Sequence, residues 1–359
     1  MRSLTQLQVD LIIGAAKQGD ADAQYYLGSC YENGEDAPQN DDEAIKWYRK
    51  AAEGGNAAAM LQLGKYADKG MGVVAPDDAE TEAATWFRKA AESGIAEAMV
   101  EIGDCLKNGT GVPRNIDEAV SWYRKAIEAG NANAMFNLGF CYCSGEGVPQ
   151  DYVKAAEWYR RAAELGHDSA MVFLGCCYIE GEGVPQNYEE AVKWFRKDIA
   201  VNDDEALDAM FELGRCYAEG KGVPQNHKTA VKWYRKADDA GNVDAMYYLG
   251  LCYVEGKGVS RNYAEAIELF RTAAFIGHDE SYLQLGLCYS GGKGVPQSDS
   301  YALAYYELAT KYRVAGAADK CAELRGRMIP AQISEAQALM PTISREGMWA
   351  REKAIGIQR

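Results

Sequence analysis

A glycine placed directly after leucine or isoleucine recurs at Gly28, Gly64, Gly103, Gly139, Gly175, Gly214, Gly250 and Gly286, in steps of 36, 39, 36, 36, 39, 36 and 36 residues. A tryptophan keeps the same time at Trp47, Trp86, Trp122, Trp158, Trp194 and Trp233, with Leu269 and Tyr305 in its place in the last two copies. A unit of this size cannot bury an apolar face alone, so copies must stack on one another into a quasi-linear array. Eight tandem copies, rather than two or three globular domains, therefore account for most of the 359 residues.

Each copy reads as a pair of helices. In Ala134-Met135-Phe136-Asn137-Leu138-Gly139-Phe140-Cys141-Tyr142, the residues Met135, Leu138, Gly139 and Tyr142 share one helical face. A Gly-x-Gly-Val-Pro stop follows at Gly145 to Pro149, where the first glycine suits a left-handed helix end and proline blocks continuation. Asp151 is a good N-cap for a second helix, Tyr152 to Leu165, which buries Ala155, Trp158, Tyr159 and Ala162 and ends at Gly166. Glycine inside a helix costs about 1 kcal/mol relative to alanine. Eight of them on the buried face imply a close helix approach that a Cβ would obstruct.

The two 39-residue steps place insertions around Met71 to Pro76, within the second copy, and around Ile199 to Glu205, between copies five and six. At the second of these Asn202 replaces the terminal glycine, and the array is expected to bend or loosen there. The sequence divides into a capping helix over 1–19, eight repeats over 20–316, two capping helices over 317–340 and a tail over 341–359.

The pattern Ala-x-x-x-Leu-Gly-x-x-Tyr, then Gly-x-Gly-Val, then Ala-x-x-Trp-Tyr-x-Lys-Ala-Ala resembles the Sel-1-like repeat, a relative of the tetratricopeptide repeat. Copy one departs from it at Asp36, copy two at Tyr66-Ala67, and copies seven and eight lack the tryptophan. The resemblance implies an all-α, right-handed α/α superhelical solenoid whose first helices line a concave surface. It also implies an adaptor or scaffold, typically bacterial, in signalling, secretion, envelope or host-interaction settings, or a partner that neutralises a toxin. Some disulfide-rich relatives are linked to β-lactam binding or hydrolysis, and a protein that assembles through its own ends is a further alternative.

Composition narrows the partners. With 53 acidic and 38 basic residues the formal net charge is −15, which repels nucleic acid and anionic membrane. No stretch approaches the ~18–20 apolar residues of a membrane span. The first fourteen residues lack a signal-peptide pattern, so a cytoplasmic protein is expected, with periplasm or secretion as the alternative if an export signal was removed.

Of the ten cysteines, seven occupy one slot two residues after the glycine: Cys30, Cys105, Cys141, Cys177, Cys216, Cys252 and Cys288. A small residue lies seven positions earlier in each case, which makes a stripe for close packing, and the thiols are expected to stay reduced. Cys141, Cys143, Cys176 and Cys177 are the densest group. Their helical directions differ too much for a tetrahedral zinc site. No metal and no cofactor is expected. His167, His227 and His278 fall at loop or cap positions of separate copies, and no nucleophile elbow, phosphate loop or His-Glu-x-x-His motif occurs, so no catalytic residue is expected.

The remaining first-helix positions are the informative ones. Counting the leucine before the glycine as zero, positions −2, +2 and +5 lie about 130° from the core face. They are mostly polar in copies one to three, as at Ser29, Lys65 and Asp104. From copy four onward they turn apolar: Phe136 and Phe140, Val172 and Ile179, Phe211 beside Arg215, Tyr247, Leu251 and Val254, then Leu283 and Leu287. Two readings stand. The stripe is a groove for a peptide, helix or loop of another protein, with Phe136, Phe140, Phe211 and Tyr247 as anchors and Arg215 orienting a carboxylate, or it packs against its own neighbours. A protein or peptide partner and a monomeric state are expected, with self-association as an alternative.

Overall fold

The computed structural model describes residues 6–72, 78–202 and 205–344, and among them lie nineteen α-helices and no strand. A leading helix, α1 (Gln6–Lys17), precedes eight pairs. The first helices are α2 (Ala21–Asn33), α4 (Ala57–Asp68), α6 (Ala96–Asn108), α8 (Ala132–Ser144), α10 (Asp168–Glu180), α12 (Leu207–Glu219), α14 (Val243–Glu255) and α16 (Glu280–Gly291). The second helices are α3 (Asp41–Glu53), α5 (Ala79–Glu92), α7 (Ile116–Glu128), α9 (Tyr152–Glu164), α11 (Tyr188–Asn202), α13 (His227–Asp239), α15 (Tyr263–Ile276) and α17 (Asp299–Lys311). Two more follow, α18 (Ala317–Arg325) and α19 (Pro330–Ile343). Residues 73–77 of the first insertion, 203–204 of the second, and the tail beyond 344 lie outside the described residues.

The chain divides into two compact units, one of residues 1–174 with 182–185, the other of 175–181 with 186–359. Both are built from the same local chemistry. Asp20, Asn56, Asn131 and Asn242 cap first helices, and Asn40, Asn115, Asp151, Asn226 and Asn262 cap second helices, each side chain accepting the backbone N–H three residues on. At the other end Gly34, Gly109, Gly145, Gly220 and Gly256 turn left-handed and donate their N–H to the carbonyl of the slot cysteine four residues earlier. The residue seven before that cysteine is fully buried in copies three to eight, from Ala98 to Ser281.

The helix-interior glycines face an aromatic ring. In all eight copies a Cβ would stand 2.3–2.8 Å from the ring of a second-helix residue: Tyr48, Phe87, Tyr123, Tyr159, Phe195, Tyr234, Phe270 and Tyr306. Each of these rings is at least 97% buried. This is the residue after the tryptophan position, and it explains why copies seven and eight manage without tryptophan. Trp158, expected in the core, is only half-buried, and its indole carries the Arg161 guanidinium at 4.6 Å. Lys50, Lys89, Lys125, Lys197 and Lys236 cover the other indoles in the same way.

The second glycine of each Gly-x-Gly loop makes the joint between copies. A Cβ at Gly111, Gly183, Gly222 or Gly258 would lie 1.9–2.2 Å from a backbone carbonyl oxygen at the start of the preceding copy's second helix. Gly147 and Gly294 meet side chains of the same helix turn, those of Ile116 and Tyr263, and Gly72 meets Ile45 one turn further along its helix. Copy one has no preceding second helix of a repeat, and there Asp36 holds the left-handed conformation at φ 59°.

Candidate functional site

The first-helix face is built separately in each unit. In the first, Phe136 on α8 is half-buried among rings, stacked on His167 at 4.7 Å, edge-on to Phe173 at 5.3 Å and tilted against Tyr159 at 5.7 Å. Phe140, also half-buried, has the Lys107 ammonium 4.7 Å from its centroid. Val172 is half-buried, while Phe173 beside it is 39% exposed. Toward the first copies the face is polar. The Asp104 carboxylate accepts hydrogen bonds from the Tyr123 hydroxyl at 2.5 Å and the Asn137 amide at 2.9 Å, yet burial still raises its pKa. A cup of about 400 Å³ lies over Tyr25, Glu32 and Lys65.

In the second unit Ile179 and Phe211 are each only 7% exposed, so they form the floor of the face. Arg215 Nη1 donates to both oxygens of Glu212, at 3.0 and 3.2 Å, and its guanidinium lies 5.9 Å from the Phe211 ring. Burial raises the Glu212 pKa despite that partner. Tyr247 stacks on His278 at 4.2 Å and meets Tyr248 edge-on at 5.5 Å. Leu251, Val254 and Leu283 are half-buried, and Leu287 is 37% exposed. A cup of about 890 Å³ opens over Phe211, Arg215, Tyr247 and His278, and a pocket of about 350 Å³ sits beside Val254 and Leu287.

Two features of this face escaped the sequence reading. The first is the row at position −1: Asn137 meets Asp104 of the preceding copy, Phe173 meets Phe136, Tyr248 meets Phe211 at 5.3 Å, and the Gln284 amide reaches the Tyr247 hydroxyl at 3.4 Å. The second is the pair of histidines, which cover Phe136 and Tyr247. Both follow their aromatic partner by 31 residues, a signal present in the sequence. His167 also replaces the capping asparagine of other copies, its Nδ1 accepting from the Ala170 N–H at 3.2 Å.

Burial lowers the His167 pKa more than the Asp168 carboxylate raises it. A folded value below the unfolded one (~6.5) means that the unfolded chain takes up the proton first. The stability His167 provides is therefore full above that range and is lost as pH falls through it toward the folded value. His167→Asn, which keeps a cap acceptor, should flatten the decline in melting temperature between pH 7.5 and 5.5. An unchanged decline would show that His167 is not its source.

Burial holds the slot thiols Cys30, Cys141 and Cys288 above their ordinary range and pushes Cys105, Cys216 and Cys252 up to about 11. Cys176 is pushed to about 12. None of the ten cysteines is in a disulfide. Among the described residues no group of three or more His, Cys, Asp or Glu is placed to hold a metal ion, and no helix is long and apolar enough to cross a membrane.

Comparison with known proteins places this geometry. Residues 21–56, 57–95, 96–131, 132–167, 168–197, 207–242, 243–274 and 279–311 each match the Sel1 repeat. A Sel1 repeat protein from Oxalobacter formigenes is 29% identical, with a TM-score of 0.64 over 89% of this chain and 92% of its own. The protein c5321, a protective antigen of uropathogenic Escherichia coli strains displaying an SLR fold, is 28% identical, with a TM-score of 0.52 over 98% and 90%. The mouse DAP3-binding cell death enhancer 1 is 45% identical over 49 residues, 14% of this chain, and the match spans 10% of that protein's length.

Proposed function

The chain belongs to the Sel1 repeat family, whose members generally mediate protein–protein interaction, and on that premise we propose that it is a non-catalytic scaffold. The first-helix face of each unit takes a peptide, helix or loop of another protein. The observation that carries this reading is the state of the face itself. Phe173 and Leu287 remain more than a third exposed, and Phe136, Phe140, Tyr247, Leu251 and Val254 only half-buried, on helices whose other side is a complete core. Apolar side chains left at this level, next to cups of several hundred Å³, are what a partner's side chains need. Within this reading Ile179 and Phe211 support the contact residues, Val172 and Leu283 flank them, and Arg215, tied to Glu212, offers its remaining donors to a partner carboxylate. Helix α1, in the 1–19 segment, and the pair α18–α19, which runs past the expected end at 340 to Ile343, act as caps on the ends of the array.

The test combines Phe136→Ala, Phe140→Ala, Tyr247→Ala and Leu287→Ser, and leaves the floor residues alone. Affinity capture from the host lysate, read by mass spectrometry, should lose its specific partner with the fourfold variant, while the far-UV circular dichroism stays that of the parent. Full capture by the variant would remove the proposal. Salt-sensitive capture that ignores these changes would move the contact to the acidic exterior. A mass that rises with protein concentration in light scattering would favour self-assembly.

A further inference from the structure

The pocket of about 350 Å³ at the C-terminal end of the repeats has a charge opposite to that of the chain. Its walls include Val254, Leu287 and Leu324, and Lys293, Lys320, Arg327 and Glu323 stand around it. Lys320 pairs with Glu323 at 2.8 Å, and Arg327 with Asp299 at 3.3 Å. Lys293 is different, and the repeat explains why. In copies six and seven the equivalent lysines, Lys221 and Lys257, are neutralised by a glutamate two residues earlier, Glu219 at 2.7 Å and Glu255 at 2.6 Å. In copy eight that glutamate is Gly291. The Lys293 stem comes within 3.4–3.6 Å of where a Gly291 Cβ would be, and among the described residues its ammonium forms no ion pair. The pocket is thus left with one uncompensated positive charge beside an apolar wall, in a chain whose net charge is −15.

We infer that this pocket binds the C-terminal residue of a peptide, its α-carboxylate on Lys293 and its apolar side chain against Leu287 and Leu324. One free cation matches a monoanion. A phosphate dianion would face Glu323 with Lys320 and Arg327 already engaged. A cavity of this volume has room for a terminal residue, which carries a carboxylate and an apolar side chain on one carbon and so brings both to adjoining walls. The inference deepens the peptide-binding reading and rests on it.

The intact chain is offered a synthetic pool of random octapeptides with free α-carboxyl ends, and the same pool amidated, with retention read by mass spectrometry. A charge-assisted contact of this kind should favour the free acids about tenfold, with leucine, isoleucine, valine, methionine and phenylalanine enriched at the last position. Lys293 is exposed, so Lys293→Glu should keep the parent's circular dichroism and melting curve while erasing the preference for the acid. Leu287→Ser should keep that preference and lose the apolar enrichment. Equal retention of both pools, abolished by Phe136→Ala with Tyr247→Ala, would overturn the pocket and leave the first-helix reading standing. A preference that survives Lys293→Glu, or displacement of the acids by millimolar inorganic phosphate but not acetate, would also overturn it. Retention of neither pool would overturn both.

Discussion

Gly183→Ala should cost about 3 kcal/mol of stability, although it adds a single methyl group to a surface loop. Two terms combine. Gly183 has φ +72°, where a Cβ costs about 1–2 kcal/mol. The new carbon would also stand 1.9 Å from the Tyr152 carbonyl oxygen, and a backbone atom at the start of a helix cannot rotate aside as a side chain would. Overpacking of this kind adds about 1–3 kcal/mol. The strain falls on the joint between two copies, and each copy's stability depends on its interface with the next. Urea unfolding followed by circular dichroism should therefore show an earlier, broader transition. Asp36→Gly is the control: this position shares the left-handed backbone but has no preceding repeat to strike, and it should change stability by less than about 1 kcal/mol. If Gly183→Ala melts with the parent, the Gly-x-Gly loop is only a helix stop and not a joint.

That distinction marks what the sequence could and could not disclose. The 36-residue period, the Leu-Gly face, the caps and the terminating glycines follow from residue chemistry along one helix. Each was legible because it depends on neighbours three or four positions away. The second loop glycine was not, because its reason is a carbonyl in the previous copy. The same limit hid the position −1 row. A helical wheel gives the direction of Asn137, Phe173 and Tyr248 but not the height at which the adjacent copy's helix meets them. Tryptophan misled for a different reason. It is the most conspicuous residue in the repeat, yet outside Trp122, which is buried, its indole is only half-buried under a lysine or arginine, while the plainer tyrosine or phenylalanine after it fills the core. As to the candidate site, a mostly polar face in the early copies and an apolar one later was readable. How far each side chain sinks was not: Phe211 and Leu287 occupy related positions and differ fivefold in exposure, 7% against 37%.

The pairing of glycine with the buried ring yields the largest expected loss. Phe195→Ala should cost about 3–5 kcal/mol, since the ring is fully buried and its removal leaves a cavity that two packed helices cannot close. Trp194→Ala, one residue away and half-buried, should cost about a third as much, the reverse of what the repeat's most visible residue suggests. Gly175→Ala should also destabilise, because its Cβ would come within 2.3 Å of the Phe195 ring edge. The two positions are then coupled, and the sign of the coupling can be stated. Leucine at 195 lacks the outer ring carbons that the new methyl strikes, so the clash present in the single change is relieved in the double, while the helix propensity gained by alanine is common to both and cancels. Gly175→Ala with Phe195→Leu should therefore lie closer to the parent than the sum of the single changes, by about 1–2 kcal/mol in a double-mutant cycle. Strict additivity would mean that the glycine is kept for some reason other than the ring that rests on it.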